Sequence, residues 1–199
     1  DRIFLHNPGT NNRIFICSHW DSRPFADHDP DVKKRNTPID GANDGASGVG
    51  ILLEVARQLS MSRPDIGVDI MFLDAEDYGP PDDRQRNEDT GNWWGLGSQY
   101  WAKTPHKTGY YAKYGILLDM VGAPNAAFLQ EGFSRQYAPN ILKSVWNIAG
   151  KLGYSDYFLY DEGGLITDDH LYINKILNIP TIDIIHLDKY SNTGFYHTW

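Results

Sequence analysis

Cysteine is nearly absent: Cys17 is the single one in 199 residues. No intrachain disulfide can form, so the fold has to be held by its core. Cys17 lies in the apolar run Ile14-Phe15-Ile16-Cys17, which predicts a buried, inert thiol. The lack of disulfides does not fix a compartment, since many periplasmic proteins have none. Long apolar runs are missing too, and no segment reaches the roughly 20 residues that a membrane-spanning helix needs. Basic charge is scarce: 18 Lys and Arg stand against 26 Asp and Glu, for a net charge of −8. That balance argues against a phosphate backbone, and so against nucleic acid, as partner. Lys33-Lys34-Arg35 is a tight basic run and reads as a solvated loop. There is no internal repeat and no low-complexity tract. A His-Glu-x-x-His motif is also absent, which removes the thermolysin-like class of zinc sites.

What remains is the composition of one globular domain over residues 1–199. Hydrophobic residues make up 41% and charged residues 22%, enough apolar side chain for a sizeable core. Six Trp and twelve Tyr fit either an aromatic-lined cleft or an aromatic-rich core. Short β-branched and apolar runs predict strands at 13–18, 68–73, 116–118 and 179–185, with weaker candidates at 127–129 and 157–160. Helical periodicity falls between them. Over 45–60, Val49, Leu52, Leu53, Ala56 and Leu59 share a face. Over 139–152 the apolar set is Ile141, Leu142, Val145, Ile148, Ala149 and Leu152. Pro139 suits the first turn of that helix and Gly153 its stop. Shorter helices are predicted at 97–102 and 168–175. The segments 28–38 and 82–92 read as exposed loops. Strands alternating with helices predict an α/β fold: a mostly parallel mixed central β-sheet flanked by helices on both faces.

The acids are placed informatively. The first predicted core strand runs into Ser18-His19-Trp20-Asp21, the second into Asp74-Ala75-Glu76-Asp77, and the third into Asp119. Ligands of open α/β sheets bind beyond the carboxyl ends of the strands. Three strand ends therefore deliver carboxylates and a histidine to one edge. Asp44, in Gly41-Ala42-Asn43-Asp44-Gly45-Ala46-Ser47-Gly48, adds another where the chain turns into a helix. An aspartate there is commonly an N-cap, although the glycines around it allow close backbone approach. Carboxylates gathered this way repel unless a cation sits among them. Oxygen donors with an imidazole suit zinc, and His197 is a candidate nitrogen donor. In the pair Glu76-Asp77, successive side chains point to different sides. One can bind metal while the other faces substrate as general acid or base. A Glu-Asp pair is also common as plain surface charge.

These motifs occur together in a known order. Ser18-His19-Trp20-Asp21-Ser22-Arg23-Pro24, the Asp44 loop, Asp74-Ala75-Glu76-Asp77, Leu117-Leu118-Asp119-Met120-Val121-Gly122, Asp168-Asp169-His170 and Tyr196-His197-Thr198 resemble the M28 metallopeptidase superfamily. The likeness is closer to its glutaminyl cyclase branch, in particular the bacterial enzymes of animal type. It spans almost the whole chain. It implies Asp44, Asp77 and His197 as ligands of one Zn2+ per chain, and Glu76 as the catalytic acid/base. Asp119 and Asp168 are implied as acids around the reacting centre. Tyr196 stands where animal cyclases carry Trp, and Asp183 where they carry another His. With Trp93 or Trp94 as an indole wall, these form the implied substrate-binding set. The implied substrates are peptides or proteins with N-terminal glutamine, and the implied location is the periplasm or cell envelope.

A dinuclear zinc aminopeptidase is the alternative within the superfamily, with His19 and Asp119 completing a second site and Asp44 bridging. Asp77, where peptidases typically carry Glu, and the Asp168-Asp169-His170 run favour the cyclase. The Asn43–Gly48 loop looks as much like a peptidase loop. The chain starts at Asp1 and stops at Trp199, whereas the resemblance leads us to expect further helices at its ends. It therefore reads as a fragment or a processed form.

Overall fold

The computed structural model describes residues 2–81 and 92–187. In chain order the elements are β1 (Arg2–His6), β2 (Arg13–His19), α1 (Ala46–Ser62), β3 (Gly67–Leu73), α2 (Leu96–Lys103) and β4 (Gly115–Asp119). There follow β5 (Phe128–Gln130), α3 (Gly132–Tyr137), α4 (Pro139–Lys151), β6 (Phe158–Glu162), α5 (Asp169–Tyr172), a π-helical turn over Ile173–Leu177, and β7 (Thr181–Ile185). Five strands form the main sheet in the order β1-β3-β2-β4-β7. Strands β3, β2, β4 and β7 run parallel, and β1 closes one edge antiparallel to β3. Strands β5 and β6 make a separate parallel pair. Among the described residues no helix is long and apolar enough to cross a membrane.

Strands covered on both faces need apolar side chains at odd and even positions alike. The two larger core clusters lie one on each face, and a third, smaller one gathers Met120, Leu129, Ile185 and Leu187. On one face Val68, Ile70, Leu118, Ile182 and Ile184 pack with Leu52 of α1 and Leu142 and Trp146 of α4. On the other, Phe15, Cys17, Met71, Leu73 and Leu117 pack with Trp101 of α2 and Ile173 of the π-helical turn. Cys17 is fully buried, as expected. One charged residue interrupts β3: Asp69 is buried but satisfied by Arg13 (2.7 and 2.8 Å) and the Tyr110 hydroxyl (2.7 Å).

Two details differ from the periodicity reading. Leu53 (59%) and Ile148 (55%) are exposed, because α1 and α4 bury narrower stripes than their apolar sets, and Leu152 (68%) is exposed as the C-cap just past α4. The exposed edge strand β1 and the six-residue α3 were not anticipated.

Candidate metal centre

Every parallel strand of the sheet ends toward the same edge, and the acids gather there. Asp44, Glu76, Asp77, Asp119 and Asp168 line one pocket of about 110 Å³ with Trp94, Thr167, Ile166 and Ile185. All five acids are buried, none more than 8% exposed. A larger groove of about 480 Å³ lies around Arg13, Asp69 and Tyr110 near the amino ends of β2 and β3. Its one carboxylate is already paired, so the smaller pocket is the chemical one.

Local backbone places each group. The N-cap of α1 is Gly45, with no side-chain cap. Asp44 is therefore not spent on capping, and its Oδ1 lies 3.1 Å from His19 Nε2. Gly45 has φ 91°, and a Cβ there would come within 2.6 Å of the Asp21 carbonyl oxygen, so only glycine lets the loop close over β2. Asn43 Oδ1 accepts from the Gly122 amide (2.8 Å) and Ser47 Oγ from the Val121 amide (3.1 Å). Both bonds tie this loop to the exit of β4. Directly past β3 and β4, Ala75 (φ 54°) and Met120 (φ 45°) take the left-handed conformation. Non-glycine residues held this way gather at functional sites.

Asp21 braces the centre from behind. Its two carboxylate oxygens accept from the Glu76 and Asp77 amides, each at 3.1 Å. Burial opposes its ionisation, but His19 and those two amides outweigh burial and hold its pKa below the usual carboxylate range. Arg23, fully buried, donates from Nη1 to the carbonyls of Asp77 (2.8 Å) and Gly79 (2.7 Å). Its guanidinium stands 4.7 Å from the Trp94 ring centroid and pairs with Asp27.

The electrostatics favour either protons or a cation among these acids. Burial, then the charges of Asp77 and Asp168, push Glu76 well above its ordinary pKa. Burial, with Asp44 and Asp77 nearby, pushes Asp119 up to about 6 despite its hydrogen bond with His19. Burial and Asp119 push Asp168 up to about 7. Like charges so placed raise one another's cost of ionisation. Two ligand groups meet here with atoms within 4.8 Å of one another: His19, Asp44 and Asp119, and His19, Glu76 and Asp77. Oxygen donors with an imidazole fit zinc, so the residues present suit the metal that the sequence implied.

The expected site residues fall out as follows. Asp44, Asp77, Glu76, Asp119 and Asp168 converge on the pocket. His197 and Tyr196 lie outside the described residues. Trp94 lines the pocket, whereas Trp93 is 44% exposed and does not. Asp183 is fully buried on β7 and is not among the lining residues; strand alternation turns it toward His170 instead, at 3.9 Å. The bracing by Asp21 and Arg23 went unforeseen. So did Glu131, which accepts from the amides of Phe133, Ser134 and Ile166 and meets His170 Nε2 at 3.0 Å.

A mostly parallel α/β sheet with this donor set at its carboxyl edge defines a candidate metal-binding domain of the open α/β class. The chain belongs to peptidase family M28, whose model matches residues 3–199. It is similar to a Zn-dependent exopeptidase from Parabacteroides distasonis, with 50% identity and a TM-score of 0.94 over 98% of this chain and 68% of that one. It is similar to the glutaminyl cyclase of Bacteroides thetaiotaomicron, solved with N-acetylhistamine, at 50% identity and a TM-score of 0.92 over 98% and 67%. The glutaminyl-peptide cyclotransferase of Bos taurus is 25% identical over 90% of this chain and 54% of its own length. The chain thus spans about half of the bovine relative.

Proposed function

We propose that the chain carries the catalytic centre of a zinc-dependent glutaminyl-peptide cyclotransferase, an acyltransferase that converts N-terminal glutamine of peptides and proteins to pyroglutamate and releases ammonia. The observation that supports it most is Glu76 next to Asp77, one buried acid poised for protons beside one placed to bind metal, inside a pocket small enough for a single residue. Asp44 and Asp77, with His197, would hold one zinc per chain. Bound zinc supplies Lewis-acid polarisation of a carbonyl oxygen. Glu76 takes a proton from the attacking α-amine and returns it to the leaving amide nitrogen as ammonia departs. Its raised pKa suits both halves of that exchange. Amine and γ-carbonyl belong to the same residue, so the closure gains high effective molarity once the pocket orients them. Asp119 and Asp168 hold the relay in line. Trp94 walls the pocket, and Arg23 fixes the backbone that carries Asp77. We place the protein in the periplasm or cell envelope, a reading that rests on resemblance and that fractionation of the source cells tests.

One observation favours a second reading. His19 Nε2 lies 3.1 Å from both Asp44 and Asp119, so the residues of a dinuclear aminopeptidase centre are assembled too. The deciding experiment is zinc per chain after gel filtration, alongside assays on a Gln-peptide and a Leu-amide. About one zinc with pyroglutamate and ammonia formed is the expected result. Two zincs with free leucine released would overturn the cyclase reading. Asp119→Ala sharpens the choice, since it spares zinc content in the cyclase and halves it in the peptidase.

A further inference from the structure

Sharing Asp168 with the pocket is a second donor cluster that the centre described above does not use as ligands. Asp168, His170 and Asp183 each offer an atom within 4.8 Å of the others. His170 and Asp183 are fully buried, and Asp168 is 3% exposed. His170 Nε2 is engaged by Glu131 at 3.0 Å, which turns Nδ1 toward Asp183 Oδ2 at 3.9 Å. That Nδ1, both oxygens of Asp183 and Oδ2 of Asp168 are buried with no hydrogen-bond partner among the described residues. Protein interiors satisfy such atoms with few exceptions, and here four of them converge.

The chemistry of the set is specific. Two carboxylates and one imidazole are zinc donors. Around a tetrahedral ion with bonds of about 2.0–2.2 Å, ligand atoms sit roughly 3.4 Å apart. The His170–Asp183 separation of 3.9 Å is within about half an ångström of that spacing. A carboxylate on the far nitrogen of an imidazole is also how metal-bound histidines are oriented, and Glu131 occupies that position.

We propose that Asp168, His170 and Asp183 form a second zinc site, filled only in excess metal, and that filling it inhibits the enzyme. Inhibition follows because Asp168 also lines the substrate pocket: metal on its carboxylate withdraws it from the proton relay. The inhibitory half rests on the cyclase reading, and the binding half does not. This site is distinct from the second site of a dinuclear peptidase, which would need His19 and Asp119.

The test titrates zinc into protein that already carries one equivalent, reading bound metal and turnover of a Gln-peptide together. A second equivalent should bind, and turnover should fall at least tenfold as it does. Asp183→Asn, close to isosteric, should stop at one zinc and escape the inhibition. Stoichiometry that stays at one in tenfold excess zinc overturns the proposal. So does a second zinc that persists in Asp183→Asn, since it then lies elsewhere. Full occupancy with undiminished turnover overturns the inhibitory half. Should the variant not fold, anomalous scattering at the zinc edge from zinc-soaked wild-type crystals decides, by a peak between the three residues or its absence. A chain with an Asp183-dependent second zinc but no cyclase activity at one zinc would retain the site and lose the cyclase reading.

Discussion

At the residue scale, the proposal gives the adjacent acids Glu76 and Asp77 different jobs. The chain leaves β3 and turns left-handed at Ala75, and Asp21 then grips both following amides. Both side chains still line the one pocket, and with the two amides held they meet it from a tied backbone. Glu76→Gln is the sharpest probe of this division. It keeps shape and zinc content but removes the titratable carboxyl, so turnover should fall by about 10²- to 10⁴-fold. Metal analysis of the purified variant supplies the control, and retained turnover would take Glu76 out of its role. Arg23 acts one step further back, by holding the carbonyls of Asp77 and Gly79. Lysine in its place keeps the charge but cannot span two carbonyls, Asp27 and the Trp94 face together. Arg23→Lys should weaken zinc roughly tenfold, the scale on which groups behind metal ligands act. Competition with a chelator of known affinity measures it.

At the scale of elements, Glu131 joins three segments. As N-cap of α3 it accepts the Phe133 and Ser134 amides, and it also reaches the Ile166 amide ahead of α5 and His170 within it. Burial works against its charge, but His170 and those amides prevail and lower its pKa from 4.5 to about 2. A folded pKa depressed this way contributes stability that is present above the unfolded value near 4.5 and is lost as pH falls toward 2. Its size is about 3 kcal/mol by linkage. Glu131→Ala should therefore cost about 3–5 kcal/mol at neutral pH, since it strands a buried histidine and three amides. The deficit relative to wild type should shrink between pH 4.5 and 2, and denaturant melts across that range would show it. Such long-range hydrogen bonds are why part of the site was not legible in the sequence. Glu131 reads locally as one acid before a Gly-Phe-Ser turn, and only the fold brings residue 166 to it. Strand-end acids, by contrast, were legible, because a strand and the residues after it are local. Strand β1 escaped because Phe4 and Leu5 are exposed, so no core pattern marks it. Helix α3 is too short, and too polar at Ser134-Arg135-Gln136, to show a period.

At the scale of the whole molecule, the metal centre joins parts of the chain that share no element. Asp44 precedes α1, Asp77 follows β3, Asp119 ends β4 and Asp168 caps α5. Every one of these positions is at the carboxyl edge of the sheet because its strands run parallel. The same topology that makes the pocket also crowds its charges, and the folded chain must bear that repulsion unless a cation is present. Zinc should then act as a structural tie as well as a cofactor. At free zinc a hundredfold above its dissociation constant, binding adds about 2.7 kcal/mol to the folded state. For a domain of this length each kcal/mol shifts Tm by about 2–4 °C. Removing zinc with a chelator should therefore lower Tm by roughly 5–10 °C, and restoring one equivalent should return it. Glu76→Gln should show the same zinc-dependent rise, because Glu76 is not a ligand in this reading. His197→Ala should show none, because it would no longer hold the metal. A wild-type protein that loses its zinc and melts at an unchanged temperature would mean that the acids do not gather around the ion. The carboxyl edge would then hold its charges by proton sharing alone.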